Sequence, residues 1–142
     1  MAGGSCTSLD ELPDKARRIV LESRRSVLAT VDRRARPHVV PVCWAVKDGS
    51  IATPVDDKPK RGHKLQRVLN VERNPNATVL FDRYEDDWKR VGWVMVRGRA
   101  AVEAKGWAND ELAIRYEQYR ETPPTGEVIV VHPERISWWT WD

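Results

Sequence analysis

The sequence has few cysteines and no long apolar run. Cys6 and Cys43 are its only cysteines, too few for the disulfide framework of a small secreted domain, which favours a reducing cytoplasm. No apolar run reaches the ~20 residues that a membrane-spanning helix needs. The N-terminal residues also lack the apolar core of a secretory signal. We therefore expect a cytoplasmic protein without a membrane span.

The sequence also lacks a strong charge of one sign and the common catalytic motifs. Its net charge is +3, from 24 basic and 21 acidic residues, which is too mild to require nucleic acid as a partner. The three histidines, His38, His63 and His132, have no spacing that pairs them as metal ligands. No phosphate-binding glycine motif, zinc-protease motif or serine-hydrolase motif occurs. We expect no metal site and no catalytic side chain.

The secondary structure predicted from the sequence consists mainly of short strands separated by turn residues. Alternating or β-branched runs predict strands over 26–32, 38–46, 50–55, 77–84, 91–103, 127–132 and 136–141, and apolar spacing of three and four predicts helices over 14–23, 63–73 and 109–120. The Lys47-Asp48-Gly49 turn predicts a hairpin, and Gly98 predicts a bulge or a bend. This order predicts one mainly β domain over 1–142, a split antiparallel barrel with short helices, in which residues 1–12 form a flexible tail.

The segment 53–75, TPVDDKPKRGHKLQRVLNVERNP, contains the densest group of cations. Five of its basic side chains fall within ten residues: Lys58, Lys60, Arg61, Lys64 and Arg67. On the predicted helix Lys64 and Arg67 share a face, and the helix N-terminus adds a positive field. Thr53 ends the strand before it and can donate a hydroxyl. Two interpretations stay open at this point, namely a phosphate or carboxylate site and an ordinary solvated helix face.

The order of motifs around this segment resembles a known superfamily. A Pro-Val strand, an Asp-Gly turn, a strand that ends in Thr, a basic loop and the pattern K-x-x-R-x-x-N-[VIL]-x-x-N-P resemble the split β-barrel flavin and deazaflavin oxidoreductases, which are pyridoxamine-phosphate-oxidase-like. Within it, DDKPKR, DRYEDDW and GWVMVRGRA look like the actinobacterial branch that uses the 8-hydroxy-5-deazaflavin coenzyme F420.

The resemblance implies a set of cofactor-binding residues. Arg67 would bind the cofactor phosphate, Asn70 is the asparagine of the motif, and Thr53 is the strand-end hydroxyl. The strand 38–44 would lie behind the ring, with Pro41 and Val42 nearest, and Trp88 would lie at the mouth of the cleft. The remaining cations are candidates for the oligoglutamate tail: Lys58, Lys60, Arg61 and Lys64.

The same resemblance implies an F420-dependent oxidoreductase. Hydride would pass between C5 of the reduced ring and an unsaturated small-molecule acceptor, and a homodimer would hold the cofactor sites at the subunit interface. Three alternatives remain open: an FMN-binding oxidoreductase of the same fold, a non-catalytic flavin or deazaflavin carrier, and a nucleic-acid-binding module that uses residues 58–67 for phosphate contacts.

Overall fold

A computed structural model of the protein describes residues 2–55, 64–104, 106–124 and 126–141. Its strands are β1 (Ala2–Cys6), β2 (Ser26–Val31), β3 (Pro37–Val42), β4 (Ala45–Lys47), β5 (Ser50–Pro54), β6 (Asn76–Arg83), β7 (Gly92–Glu103) and β8 (Val128–Thr140). Its α-helices are α1 (Asp14–Glu22), α2 (Gln66–Arg73), α3 (Trp107–Arg115) and α4 (Glu117–Glu121). No helix among the described residues is long and apolar enough to cross a membrane.

All strands belong to one antiparallel sheet in the order β3-β2-β6-β7-β8-β5-β4, and β1 also pairs with β8. The two strands at the ends of this order, β3 and β4, follow each other in sequence and are joined only by Cys43 and Trp44. Because two residues span only ~7 Å, the sheet must curl until its ends approach each other. The predicted mainly β split barrel with short helices is confirmed.

The concave face of the curled sheet forms the core. Strand β2 alternates between buried and half-buried positions, as do β6 and the first half of β7. Leu28, Val79 and Val96 are fully buried, and Ala16 and Ile19 of α1 pack against them in the same cluster. The predicted apolar face of α1 is therefore the face that meets the core.

The hairpin between β4 and β5 forms at the predicted turn. Asp48 and Gly49 both have positive φ angles, 51° and 79°, as a tight two-residue hairpin turn requires. Two predictions, one for a strand and one for the N-terminal tail, differ from the structure. The run 38–46 is divided into β3 and β4 at the closure of the sheet, and residues 2–6, expected in a flexible tail, form β1 opposite β8 along their whole length.

The last part of the chain forms one strand where two were predicted. Strand β8 runs without interruption through Pro133, which lies opposite Gly98 at a register shift in β7. A bulge tolerates a proline because the ladder bond that proline cannot donate is already displaced there. The predicted irregularity at Gly98 is confirmed, with the additional residue, Glu134, on β8, and it explains why Pro133 does not end the strand.

The helices also differ in their boundaries. Helix α2 begins at Gln66, so Lys64 precedes the helix. The prediction that Lys64 and Arg67 share a helix face is therefore wrong. The helix predicted over 109–120 is divided at Tyr116 into α3 and α4. Helix α3 begins at Trp107 with Gly106 as its N-cap residue, and Asn109, where the predicted helix began, lies inside its first turn.

Candidate functional site

A cavity of about 550 Å³ opens where the sheet closes on itself. Elements distant in sequence form its wall: the residues before β2, the end of β3, the end of β5, α2 and α4. The lining residues are Arg25, Pro41, Val42, Cys43, Pro54, Arg67, Gln118, Tyr119, Glu121 and Thr122. Its volume lies within the range of about 300–1,000 Å³ found for small-molecule sites. We call this space the closure cavity.

Three of the predicted cofactor residues meet in the closure cavity. Pro41 and Val42 contribute the end of β3, and Arg67 enters from the first turn of α2. Arg67 is half-buried, and the positive end of the α2 dipole lies beside it. Arg25 adds a second guanidinium group, against the single carboxylate of Glu121. The described lining therefore favours an anionic group.

Thr53 lies one residue before the cavity-lining Pro54. Its side chain is fully buried, and its hydroxyl oxygen has no hydrogen-bond partner within the described chain. A buried hydroxyl without a partner costs about 1–3 kcal/mol. Thr53 itself does not line the cavity, so a bound polar group would reach this hydroxyl only if the end of β5 moved.

Asn70 is buried more deeply than a residue that contacts a ligand directly would be. It is 1% exposed, and its side-chain nitrogen donates to the Thr30 hydroxyl oxygen at 3.0 Å. Its side-chain oxygen accepts a hydrogen bond from the Gln66 side chain at 2.7 Å. The bond to Thr30 joins α2 to β2, and the bond from Gln66 lies within α2 and holds the Asn70 side chain in place. Together they help to set the position of Arg67.

Lys64 lies at the surface, outside the closure cavity. Its ammonium group pairs with Glu72 at 3.0 Å, and both side chains are largely exposed, so the pair stabilises the fold little. Lys58, Lys60 and Arg61, the other cations predicted for the cofactor tail, lie outside the described residues.

Trp88 lies in a different cavity from Arg67 of the same chain. It begins a short 3-10 turn, Trp88–Arg90, and is 60% exposed. Its neighbours there are Tyr84, Val91, Trp139 and Trp141. Within one chain, therefore, the predicted site residues do not all come together.

The sequence did not predict that α4 forms one wall of the closure cavity. Tyr119 packs edge-on against Tyr116 with ring centroids 5.8 Å apart. The Tyr116 hydroxyl accepts from the Trp44 backbone N–H at 3.0 Å and donates to the Arg24 carbonyl at 2.7 Å. This network ties α4 to the sheet closure and to the residue before Arg25. The only sequence signal for it was the aromatic spacing on the predicted helix.

Arg115 stabilises the same region, where the sheet closes on itself. Its guanidinium group lies 3.7 Å from the centre of the Trp44 ring and donates to the Ser23 carbonyl. Trp44 in turn donates from its ring nitrogen to the Ser23 carbonyl at 3.0 Å. A cation held this close to an indole face stabilises both groups. The closure of the sheet is therefore a rigid support for the cavity.

Comparison with known proteins agrees with this architecture. Residues 12–140 match the family model described as pyridoxamine 5'-phosphate oxidase. The chain belongs to this family. No curated protein matches the sequence.

Several solved structures share the pyridoxamine 5'-phosphate oxidase family fold seen here. A conserved hypothetical protein from Mycobacterium tuberculosis is 19% identical, with a TM-score of 0.69 over 86% of this chain and 80% of that one. General Stress Protein 26 from Bacillus anthracis is 22% identical, with a TM-score of 0.65 over 87% and 89%. A heme binding protein from Mycobacterium smegmatis is 20% identical, with a TM-score of 0.68 over 89% of this chain and 52% of that one. At such low identity these likenesses show the fold alone.

The closure cavity fits a phosphate-bearing planar cofactor on its own chemistry. Arg67 and Arg25 offer guanidinium donors, and Pro41 and Val42 form an apolar surface. Within the described ranges, no group of three or more His, Cys, Asp or Glu residues could hold a metal ion.

Proposed function

We propose that this member of the family is an oxidoreductase that binds coenzyme F420 in the closure cavity and reduces an unsaturated small molecule. The observation that carries the proposal is the meeting of Arg67 with Pro41 and Val42 at the point where the sheet closes. The motif that contains Arg67 follows the pattern of the superfamily, and the segments DDKPKR and DRYEDDW resemble the F420-dependent branch. When bound, the deazaflavin supplies hydride chemistry that no protein side chain provides.

The residues of the chain would bind and orient the cofactor. Arg67 would pair with its phosphate through two parallel N–H bonds, a geometry that a guanidinium group offers and an ammonium group does not. Pro41 and Val42 would lie against the ring, and the Thr53 hydroxyl would gain the hydrogen bond that it lacks if the end of β5 moved. Tyr119, held by Tyr116, would limit the entry of water from the α4 side.

We also include in the proposal a second copy of the chain. Val27, Leu80 and Met95 are half-buried and form a row across β2, β6 and β7 on the convex face of the sheet. Val39 on the neighbouring strand is 60% exposed. Such a contiguous apolar face is typical of a subunit interface. A copy placed there would bring further residues to the open side of the cavity, and Trp88 is a candidate for them.

A binding screen with the purified apo protein tests the function. F420, FMN, FAD and heme are each titrated while protein fluorescence and ligand absorbance are followed. We expect F420 to bind more tightly than FMN, and the reduced F420 complex to be oxidised by a quinone or an enone acceptor. Tighter binding of FMN would favour the flavin enzyme of the same fold. Tight F420 binding without turnover of any acceptor would favour a carrier, and binding of heme alone would refute the proposal.

A further inference from the structure

Three arginines lie close together on the convex face of the sheet, beside the bulge. Arg97 on β7 lies directly opposite Arg135 on β8, so both side chains project from the same face. Arg99 follows two residues later on β7 and projects from that face as well. All three side chains are exposed. One pair of strands therefore presents three guanidinium groups within a short distance of each other.

No neighbouring side chain neutralises these three charges. The side chains of Arg97, Arg99 and Arg135 make no hydrogen bond or ion pair within the part of the chain that the structure describes. Like charges that lie directly opposite each other on antiparallel strands destabilise the sheet. The fold nevertheless holds Arg97 against Arg135, and an anion between the two guanidinium groups would remove their repulsion.

A groove of about 500 Å³ lies beside this pair, and we call it the arginine groove. Its volume is within the range of about 300–1,000 Å³ found for small-molecule sites. Part of its lining is apolar and comes from Ala29, Val31 and Pro37. Its polar lining includes Asn76, Thr78, Arg97, Glu134 and Arg135. The arginine groove thus offers an apolar wall next to two guanidinium groups.

The bulge determines which side chains reach the arginine groove. The register shifts between the Arg97–Arg135 pair and the Gly98–Pro133 pair, which leaves Glu134 as the additional residue on β8. Bulges change the direction in which a side chain points. Glu134 and its neighbour Arg135 are both exposed and both line the groove, although successive residues of a regular strand point to opposite faces.

We propose that the arginine groove binds a small molecule that carries a phosphate or carboxylate group. The anionic oxygens would accept hydrogen bonds from Arg97 and Arg135, because the planar guanidinium group matches both anions. Asn76 and Thr78 lie on the same face of β6 and would bind further oxygens. The lining holds two cations against the one carboxylate of Glu134, too little charge for the many phosphate contacts that a nucleic acid makes.

The arginine groove is separate from the proposed cofactor site. It shares no lining residue with the closure cavity or with the cavity around Trp88. The Val27–Leu80–Met95 row, where we place a second copy, lies on the same face about 7 Å along the strands. Since one chain supplies the whole groove, the proposal does not depend on the proposed function or on a dimer.

Nitrogen-15 correlation spectra of the full chain test the proposal. Butyl phosphate and butyrate are titrated separately at constant ionic strength, with 1-butanol as the uncharged control. We expect the anions to cause saturable shifts at the backbone N–H signals of Arg97 and Arg135, and 1-butanol to cause none. The probe with the lower dissociation constant identifies the preferred anion.

Matched variants show which charges bind the anion. Arg97→Ala and Arg135→Ala are each expected to weaken the preferred anion roughly tenfold, and Arg97→Lys is expected to restore only part of that loss, because it keeps the charge without the fork. Arg99→Ala removes an equal charge from the same face but outside the groove, so it should change the affinity little. Arg67→Ala should leave the shifts at Arg97 unchanged, which separates this site from the closure cavity.

Four outcomes would overturn the proposal. The first is the absence of saturable shifts at Arg97 and Arg135 with millimolar anion. The second is an equal loss of affinity in Arg99→Ala and Arg97→Ala, which would show only general attraction to a positive surface. The third is a change in the same signals on dilution of the protein alone, because a second copy would then cover the groove. The fourth is tighter binding of a short DNA oligonucleotide than of butyl phosphate at these residues, which would indicate a nucleic-acid surface.

Discussion

The side-chain nitrogen of Asn70 donates a 3.0 Å hydrogen bond to the hydroxyl oxygen of Thr30 in the interior of the protein. Both residues are 1% exposed, and the bond joins α2 to β2. Since Arg67 lies one turn before Asn70 on the same helix, the bond determines where the guanidinium group enters the closure cavity. A motif asparagine can therefore support a ligand site without touching the ligand.

The first prediction concerns this bond. Asn70→Ala is expected to lower the free energy of unfolding by about 1–3 kcal/mol, because the buried Thr30 hydroxyl loses its partner. The combination with Thr30→Val is expected to cost less than the sum of the single changes. Urea unfolding of the four proteins measures the coupling. Strict additivity would show that the bond contributes nothing.

The second prediction separates Arg67 from Lys64. Arg67→Ala is expected to weaken F420 by about 1.5–3 kcal/mol through the loss of a charge-assisted bond. Lys64→Ala is expected to change the affinity little, because Lys64 pairs with Glu72 at the surface. Lys47→Ala, on an exposed strand end, serves as the control for net charge. Fluorescence titration of each variant gives the affinities, and equal losses at all three positions would contradict a specific role for Arg67.

The third prediction concerns the convex face. Leu80→Glu is expected to convert a dimer into a monomer, because it places a charge in the middle of the Val27–Leu80–Met95 row. Ile114→Glu, at a 71% exposed position on α3, is the matched control and should leave the assembly unchanged. Light scattering after size exclusion measures the mass. A monomeric wild-type protein at high concentration would refute the second copy.

The fourth prediction concerns pH. The backbone N–H groups of Arg36 and Arg34 donate to the Asp32 carboxylate, and the Arg36 guanidinium pairs with it. These bonds lower the pKa of Asp32 below its ordinary value. The charged carboxylate therefore stabilises the folded state at neutral pH, and this contribution is lost as the pH falls through the folded-state pKa.

Asp32→Asn measures that contribution. Its unfolding midpoint in urea is expected to be lower than that of the wild type at neutral pH, and the difference is expected to shrink in strong acid. Asp86→Asn, in an exposed loop, is the control. A gap between wild type and Asp32→Asn that stays constant with pH would exclude the carboxylate as its cause.

The fifth prediction concerns the bulge. A Cβ atom at Gly98 would overlap the His132 carbonyl group and lie 3.1 Å from the Pro133 Cα atom, all of it backbone. Gly98→Ala is therefore expected to destabilise the protein by about 3 kcal/mol or more. Gly106→Ala, with no atom within 4 Å of the added carbon, should be near neutral. Thermal unfolding compares the two, and similar melting temperatures would refute the close contact.

Patterns among residues close in sequence predicted the parts of the fold that depend only on such residues. The Asp48-Gly49 turn requires positive φ, and the apolar spacing of α1 marks its buried face. The same patterns failed where the structure of a segment depends on a partner that is distant in sequence. β1 has a glycine-rich sequence and is a strand because β8 offers it a partner, and Pro133 is tolerated because Gly98 lies opposite.

The residues of the candidate site also fall into those that the sequence could predict and those that it could not. The position of Arg67 could be predicted because its motif is contiguous in sequence. Arg25 and Tyr119 could not be predicted, since they reach the closure cavity from segments nearly a hundred residues apart. Their positions depend on the Tyr116 hydroxyl network, in which each contact joins residues distant in sequence.

The pairing of β1 with β8 has a consequence for biosynthesis. Because β1 precedes β8 in the chain, it can form its hydrogen bonds with β8 only after the thirteen residues of β8 have been made. Until then its backbone groups, and the open edge of the sheet that β8 will fill, remain available to other chains. Newly made protein should therefore depend on chaperones most strongly just before synthesis of β8 is complete.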